Sequence, residues 1–74
     1  MKTYTFDTIA EWDNGAPMTA NTLIESFGLD PKDFTVSFTD IGNCLEATVT
    51  PKNARADGAL RYALNDADIY YDAD

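Results

Sequence analysis

The segment FTVSFTDIGNCLEATVT, residues 34–50, decides the fold more than any other part of the sequence. Apolar residues alternate with threonine and serine in its first half, and with glutamate and threonine in its second half. Asp40–Asn43, between the two halves, has the composition of a turn. An alternation with a period of two places all the apolar side chains on one face of a strand. The segment therefore predicts an antiparallel hairpin with one apolar face and one face exposed to water.

A helix is predicted before this hairpin. Its apolar residues have the spacing of a single helical face: Ala20, Leu23, Ile24 and Phe27. Thr19 is a suitable N-cap, and Gly28 lies where a C-terminal glycine is favoured. We expect the helix to begin at about Pro17 or Ala20 and to end at Phe27.

A second helix is predicted after the hairpin, with an apolar stripe formed by Ala56, Leu60, Ala63, Leu64 and Ala67. Pro51 suits the first helical position, which gives one possible start. Gly58 weakens a helix interior by roughly 1 kcal/mol relative to alanine, so the helix can instead begin there, with Asp57 as its cap. Asp57 and Arg61 are four residues apart in the order that favours an ion pair.

The two ends of the chain complete the expected sheet. Lys2–Phe6 alternates as a short strand, and Asp68–Asp72 is β-prone and aromatic, which predicts a last strand. Asp7 is expected to cap a short helical turn through Ile9 and Trp12. The predicted fold is a single α+β domain over residues 1–74. It has a small antiparallel sheet of three to four strands and two helices packed on one face.

Charge is the strongest compositional signal. The 74 residues include 13 aspartates and glutamates but only 5 lysines and arginines, giving a formal charge of -8. Such a charge repels nucleic acid and anionic membranes and attracts basic protein surfaces. The alternative interpretation is that the acids serve solubility alone.

The residues for ordinary catalysis are missing. The chain has no histidine, which excludes Ser-His-Asp and Cys-His nucleophilic pairs and, with only Cys44, a structural zinc site. The glycines are isolated, so no phosphate-binding loop is present. Paired carboxylates or Cys44 as a nucleophile are the remaining catalytic alternatives, and both are disfavoured. We expect a protein that is not an enzyme and needs no cofactor or metal.

The expected location is the cytoplasm. A lone cysteine allows no internal disulfide, whereas small secreted domains are usually cross-linked. The N-terminal residues do not resemble a signal peptide, and no apolar stretch approaches the roughly 20 residues that span a bilayer. No membrane association is expected.

The candidate partner-binding residues form two acidic groups. The first lies at the C-terminus and comprises Asp66, Asp68, Asp72 and Asp74 with Tyr70. The second comprises Asp7, Glu11 and Asp13 beside Trp12. Carboxylates two apart on a strand are separated by about 6.6 to 6.8 Å, comparable to the spacing of phosphates along a nucleic-acid strand. The simpler alternatives are a charged, frayed terminus and a tryptophan that belongs to the core.

Alternation decides which C-terminal side chain is exposed. The apolar Ile69 side chain is expected to face the core, and Tyr71, two residues later, then lies on the same inward face. Tyr70 is left outward beside Asp68 and Asp72, where a phenol and two carboxylates suit an arginine or lysine of a partner.

Length, acidity, the missing catalytic residues and the α+β pattern together resemble small acidic phage inhibitors of the anti-CRISPR and DNA-mimic type. The resemblance covers the character of the whole chain and no specific motif, so it assigns no residue. It implies a non-enzymatic inhibitor that binds the basic, nucleic-acid-binding surface of a CRISPR-Cas effector in the host cytoplasm, with no direct contact to nucleic acid.

A second hypothesis is a small cytosolic assembly module that binds a partner by sheet-edge addition or through an aromatic patch. Lys2–Phe6 or Ile69–Tyr71 would be the available edge.

Overall fold

The computed structural model of the chain describes residues 2–8, 19–42 and 45–74. The elements are strand β1 (Tyr4–Asp7), helix α1 (Ala20–Ser26), strand β2 (Phe34–Asp40), strand β3 (Leu45–Pro51), helix α2 (Ala54–Asp66) and strand β4 (Asp72–Ala73). This is the α+β fold with an antiparallel four-stranded sheet that the sequence predicts. No helix within these residues is long and apolar enough to cross a membrane.

The strands lie in the order β2-β3-β1-β4. Phe34 faces Pro51 and Asp40 faces Leu45, so the β2–β3 hairpin pairs along its whole length. On the other side of β3, Tyr4 faces Val49 and Asp7 faces Glu46. The alternation of the hairpin therefore continues into β1, and one set of alternate residues across the three strands is apolar.

The core combines that apolar set with side chains from both helices. Its buried residues are Tyr4, Phe6, Leu23, Ile24, Phe34, Ala47, Val49, Ala56, Leu60 and Leu64. The other set of alternate strand residues is polar and partly or fully exposed: Thr5, Asp7, Thr35, Ser37, Thr39, Glu46, Thr48 and Thr50. Packing of both helices on one face of the sheet stays a prediction.

Both helices begin at a side-chain cap. The Thr19 hydroxyl accepts from the Thr22 N–H at 3.1 Å, as expected for α1. The start of α2 corrects the sequence prediction: Asn53 caps it, accepting from the Ala56 N–H at 2.8 Å. Pro51 is the last residue of β3, and Asp57 lies in the first turn of α2. Asparagine is as strong a cap as aspartate, and it precedes the whole apolar stripe.

The two predicted sheet edges also need correction. Lys2–Phe6 is no free edge, because β1 pairs with β3 on one side and β4 on the other. The C-terminal strand is only Asp72–Ala73, so Ile69–Tyr71 is not a sheet edge either. The outer strands of the described sheet are β2 and the short β4. The predicted turn through Ile9 and Trp12, together with Cys44, lies outside the described residues.

A buried tyrosine connects the sheet to α2. Tyr4 is fully buried, and its hydroxyl donates to Asp57 Oδ1 at 2.6 Å. Asp57 in turn pairs with Arg61, with Oδ2 and Nε 3.5 Å apart, which confirms the expected ion pair. Burial of the phenol, followed by the hydrogen bond and charge of Asp57, raises the pKa of Tyr4 to about 12. The neutral phenol is therefore the form that the fold favours.

We predict that Tyr4→Phe lowers the free energy of unfolding by about 1 kcal/mol near neutral pH, because one buried hydrogen bond is lost. A raised folded-state pKa contributes full stability below the unfolded pKa of about 10, and that contribution disappears as pH rises towards 12. The difference between parent and variant should therefore close within this window and then reverse, because a shift of about two pKa units outweighs one hydrogen bond. Urea unfolding at a series of pH values measures it. A difference that stays constant through the window contradicts this role for the hydroxyl.

Candidate functional site

A cleft of about 880 Å³ lies beside β1 and β4. Phe6, Phe27 and Ile69 supply apolar lining, and Ala67 and Ser26 contribute small side chains. Four carboxylates also line it, from Asp7, Glu46, Asp68 and Asp72, together with Tyr70. Thr5 is the eleventh lining residue. We call the depression formed by these eleven residues the acidic cleft.

The cleft exists because β4 separates from β1 after a few residues. Thr3 and Asp74 exchange backbone hydrogen bonds of 3.1 and 2.9 Å, and pairing ends at Thr5 opposite Asp72. The residues that precede Asp72 lie outside the sheet and connect β4 to the end of α2. Phe6 and Asp7 therefore border a gap where a longer β4 would have covered them.

The end of α2 forms the opposite wall. The Asp68 N–H donates to the Asn65 carbonyl at 3.1 Å, and the Ile69 N–H donates to the Leu64 carbonyl at 2.9 Å. This pair of bonds is a Schellman motif, which reverses the chain after the helix. Asp68 holds the left-handed position of the motif, with φ of 60°. The reversal returns Ile69 to the core and presents Asp68 to the cleft.

The side chains after this reversal lie as the alternation predicted. Ile69 and Tyr71 pack against the core, and the Tyr71 ring meets the Tyr4 ring edge-on with centroids 5.5 Å apart. Tyr70 is 87% exposed. An aromatic ring with both faces accessible is suited to a cation.

Two of the cleft acids and three lysines lie at opposite ends of the sheet, although Asp33 and Asp74 lie at the lysine end. Asp7 and Glu46 lie at one end of the sheet, whereas Lys2 precedes β1 and Lys52 follows β3 at the opposite end. Lys32, just before β2, is at that same end. No lysine or arginine is among the residues that line the acidic cleft. The cleft therefore presents carboxylates with no cation beside them to neutralise their field.

Three of these carboxylates lie where an acid is locally unfavourable. Asp7 and Glu46 are directly opposed on neighbouring strands, where like charges destabilise a sheet. Asp68 has a left-handed backbone that usually selects glycine, and it follows the C-terminus of α2, where negative charge is disfavoured. Local rules of this kind are most often broken at functional sites.

The structure brings together only part of the sequence-predicted site. Asp7, Asp68, Tyr70 and Asp72 share the acidic cleft. Asp66 lines a neighbouring hollow of about 350 Å³ that also contains Tyr62. Asp74 follows β4 and pairs with Thr3, and Glu11 and Asp13 lie outside the described residues.

Glu46 is a cleft residue that the sequence prediction missed. It occupies the polar face of β3, and only the register of β1 against β3 places it opposite Asp7. The single signal in the sequence was an acid at one outward position of an otherwise threonine-rich strand face.

The carboxylates are not gathered as they would be at a metal centre. Within the described part of the chain, no group of three or more aspartate, glutamate, histidine or cysteine residues could hold a metal ion. The cleft instead spreads its charges around an apolar floor, an arrangement suited to the stem and head of a long cationic side chain.

No family model, curated protein or solved structure matches the chain. The function must therefore be inferred from the acidic cleft and its chemistry.

We predict that Asp68→Gly raises the free energy of unfolding by about 1 kcal/mol, because glycine adopts the left-handed conformation without strain. Gly28 holds the same position after α1, with φ of 76° and nothing within 4 Å of an added Cβ. Gly28→Asp should therefore lower the free energy of unfolding by a similar amount. Urea unfolding of both variants measures these changes. A destabilised Asp68→Gly protein would show that this aspartate supports the fold.

The opposed acids give a second prediction. Glu46→Gln should raise the free energy of unfolding by about 0.2 to 1 kcal/mol at low ionic strength, because it removes the repulsion across the strands. The gain should vanish in an Asp7→Asn background and shrink in high salt. A gain that is the same in both backgrounds would mean that the two carboxylates do not interact.

Proposed function

We propose that this protein is a non-enzymatic inhibitor that binds the basic, nucleic-acid-binding surface of another protein through the acidic cleft. The class of target that fits the resemblance to anti-CRISPR proteins is a CRISPR-Cas effector. The protein would act in the cytoplasm, without a cofactor, and in the manner of a DNA mimic its carboxylates would occupy sites that otherwise bind phosphates.

The observation that carries the proposal is the convergence of four carboxylates on one cleft that no lysine or arginine lines. Acids that served solubility alone would have no reason to converge on one cleft that contains no lysine or arginine. Three of them also occupy positions where an acid is locally unfavourable, which a purely solvating role does not require.

The chemistry of the cleft fits an arginine or lysine of the partner. Its charged group would pair with the rim carboxylates and stack on Tyr70, while its aliphatic stem would lie against the apolar floor. Exposed ion pairs contribute less than about 1 kcal/mol each, so several must act together. Arginine grooves that bind nucleic acid supply such cations in series.

The decisive experiment compares two variants that lose equal charge. The cleft variant changes the carboxylates Asp7, Glu46, Asp68 and Asp72 to their amides. The control variant does the same at Glu25, Asp33, Asp66 and Asp74, which lie outside the cleft. Asparagine is tolerated at the left-handed position of residue 68, so both proteins should fold.

We predict that the cleft variant loses binding to guide-loaded Cas effectors at least tenfold, about 1.4 kcal/mol, while the control variant keeps most of its affinity. Biolayer interferometry against a panel of purified effectors measures this, with competition by target DNA as a second readout. Binding of the parent should weaken steeply with salt. Equal losses in both variants would show that total charge, and not the acidic cleft, is responsible.

A second candidate function is an assembly module that binds through exposed aromatic residues. Its support is the exposure of Tyr62 and Tyr70, at 74% and 87%. For this function, Tyr62→Ala and Tyr70→Ala should weaken partner binding more than neutralising the four cleft carboxylates does. The inhibitor proposal predicts the reverse order, so one set of affinity measurements separates the two.

A further inference from the structure

β1 is paired along both of its edges only as far as Thr5. On the β4 side, Thr3 exchanges backbone hydrogen bonds with Asp74, and Thr5 lies opposite Asp72, the first residue of β4. β1 itself continues to Asp7. Among the described residues, the end of β1 therefore has a strand on the β3 side alone, and its other side borders the acidic cleft.

The hydrogen-bonding pattern shows which backbone groups are left open at this end of β1. The Thr8 N–H donates to the Leu45 carbonyl at 2.8 Å, so Thr8, and by alternation Phe6, directs its backbone groups towards β3. The N–H and C=O of Asp7 point the other way, as those of Thr3 do. In the described part of the chain no residue of β4 lies opposite Asp7 to bond them. Asp7 therefore offers one donor and one acceptor to the acidic cleft.

We propose that the acidic cleft binds an extended, basic segment of the partner as a short added strand beside Asp7. This inference rests on the proposed function, since it names the form in which the partner's cation enters the cleft. One residue of the segment pairs antiparallel with Asp7: its N–H donates to the Asp7 carbonyl, and its carbonyl accepts from the Asp7 N–H. The strand pairs of the described sheet are all antiparallel, and the segment occupies the line that β4 leaves empty.

Alternation assigns a side chain of the segment to each face of the sheet. Directly opposed residues of an antiparallel pair share a face, so the residue beside Asp7 lies on the polar face with Asp7 and Glu46. Asp72 faces Thr5 and lies on this same face, one step along the line of β4. An arginine or lysine at the paired position is thus beside Asp7, with the carboxylates of Glu46 and Asp72 on the same face. It offsets the repulsion between Asp7 and Glu46.

The neighbouring residues of the segment face the apolar floor of the cleft. They project from the opposite face of the added strand, the side on which Phe6, Phe27 and Ile69 line the cleft. The cleft volume of about 880 Å³ is within the range of roughly 300 to 1,000 Å³ found for ligand pockets. The expected recognition pattern is therefore one basic residue between two apolar residues, on an extended backbone.

Charge complementarity decides what kind of strand the cleft accepts. Its lining contains four carboxylates and no lysine or arginine. A neutral strand would form the same backbone bonds, but it would leave Asp7 and Glu46 facing one another without a cation. A second copy of this chain, with a formal charge of -8, would add to the repulsion.

Backbone methylation of a peptide probe tests the added strand without changing any charge. The probe is a synthetic peptide with the central sequence Leu-Arg-Leu, flanked by glycine and serine, and NMR titration of the full chain measures its affinity. N-methylation of the arginine removes the N–H that donates to Asp7 and should weaken binding about tenfold. N-methylation of the following leucine, whose N–H points away from β1, is the matched control and should change the affinity less than about twofold.

Amide hydrogen exchange gives a second readout, on the protein itself. Saturating peptide should slow the exchange of the Asp7 amide, which the added strand bonds. The Thr8 amide, bonded to Leu45, should be protected with or without the peptide. Equal affinities of the parent and arginine-methylated peptides, with no protection gained at Asp7, would overturn the added strand.

The same peptides separate a failure of the added strand from a failure of the acidic cleft. If methylation has no effect but amides at Asp7, Glu46, Asp68 and Asp72 abolish binding, the cleft binds cations through charge alone and the added strand is wrong. If those amides leave peptide binding unchanged, or the parent peptide does not bind at all, the cleft is not a cation site and both proposals fail.

Discussion

The pairing of β1 with β3 is the interaction on which the rest of the structure depends. It places Tyr4 in the core, where the hydroxyl reaches Asp57 and connects the sheet to α2. The same register places Asp7 beside Glu46 on the polar face. A slip of one residue would exchange the two faces of β1, exposing Tyr4 and burying Thr5. One register therefore determines both the core and the acidic end of the sheet.

The acidic cleft and the core share residues at their boundary, where a charged surface meets buried apolar side chains. Phe6 and Ile69 belong to the core or pack against it, yet both also line the cleft, within reach of the rim carboxylates. A domain of this size has little stability to spare. We expect the opposed acids and the left-handed Asp68 to reduce this stability, and the buried Tyr4–Asp57 hydrogen bond and the helix caps to offset the loss.

Local periodicity in the sequence predicted most of the helices and strands. It did not predict the strand order or the grouping of the cleft residues, because both depend on pairing between distant segments. The β2–β3 hairpin, α1 and the alternation of Ile69, Tyr70 and Tyr71 follow from spacings of two, three and four residues. The strand order does not follow from such spacings, because no local sequence pattern indicates that β1 lies between β3 and β4. For the same reason Asp7, Asp68, Tyr70 and Asp72 were predicted as members of two separate groups. Glu46 was missed because its neighbour Asp7 is distant in sequence.

We propose that carboxylates distant in sequence act as one cation-binding site. NMR amide shifts during titration with an arginine-rich peptide test it most directly, since the probe needs no knowledge of the natural target. We expect the largest shifts at Asp7, Glu46, Asp68 and Tyr70, and we expect them to disappear together in high salt. Shifts spread evenly over all exposed aspartates and glutamates, including Glu25 and Asp33, would contradict it.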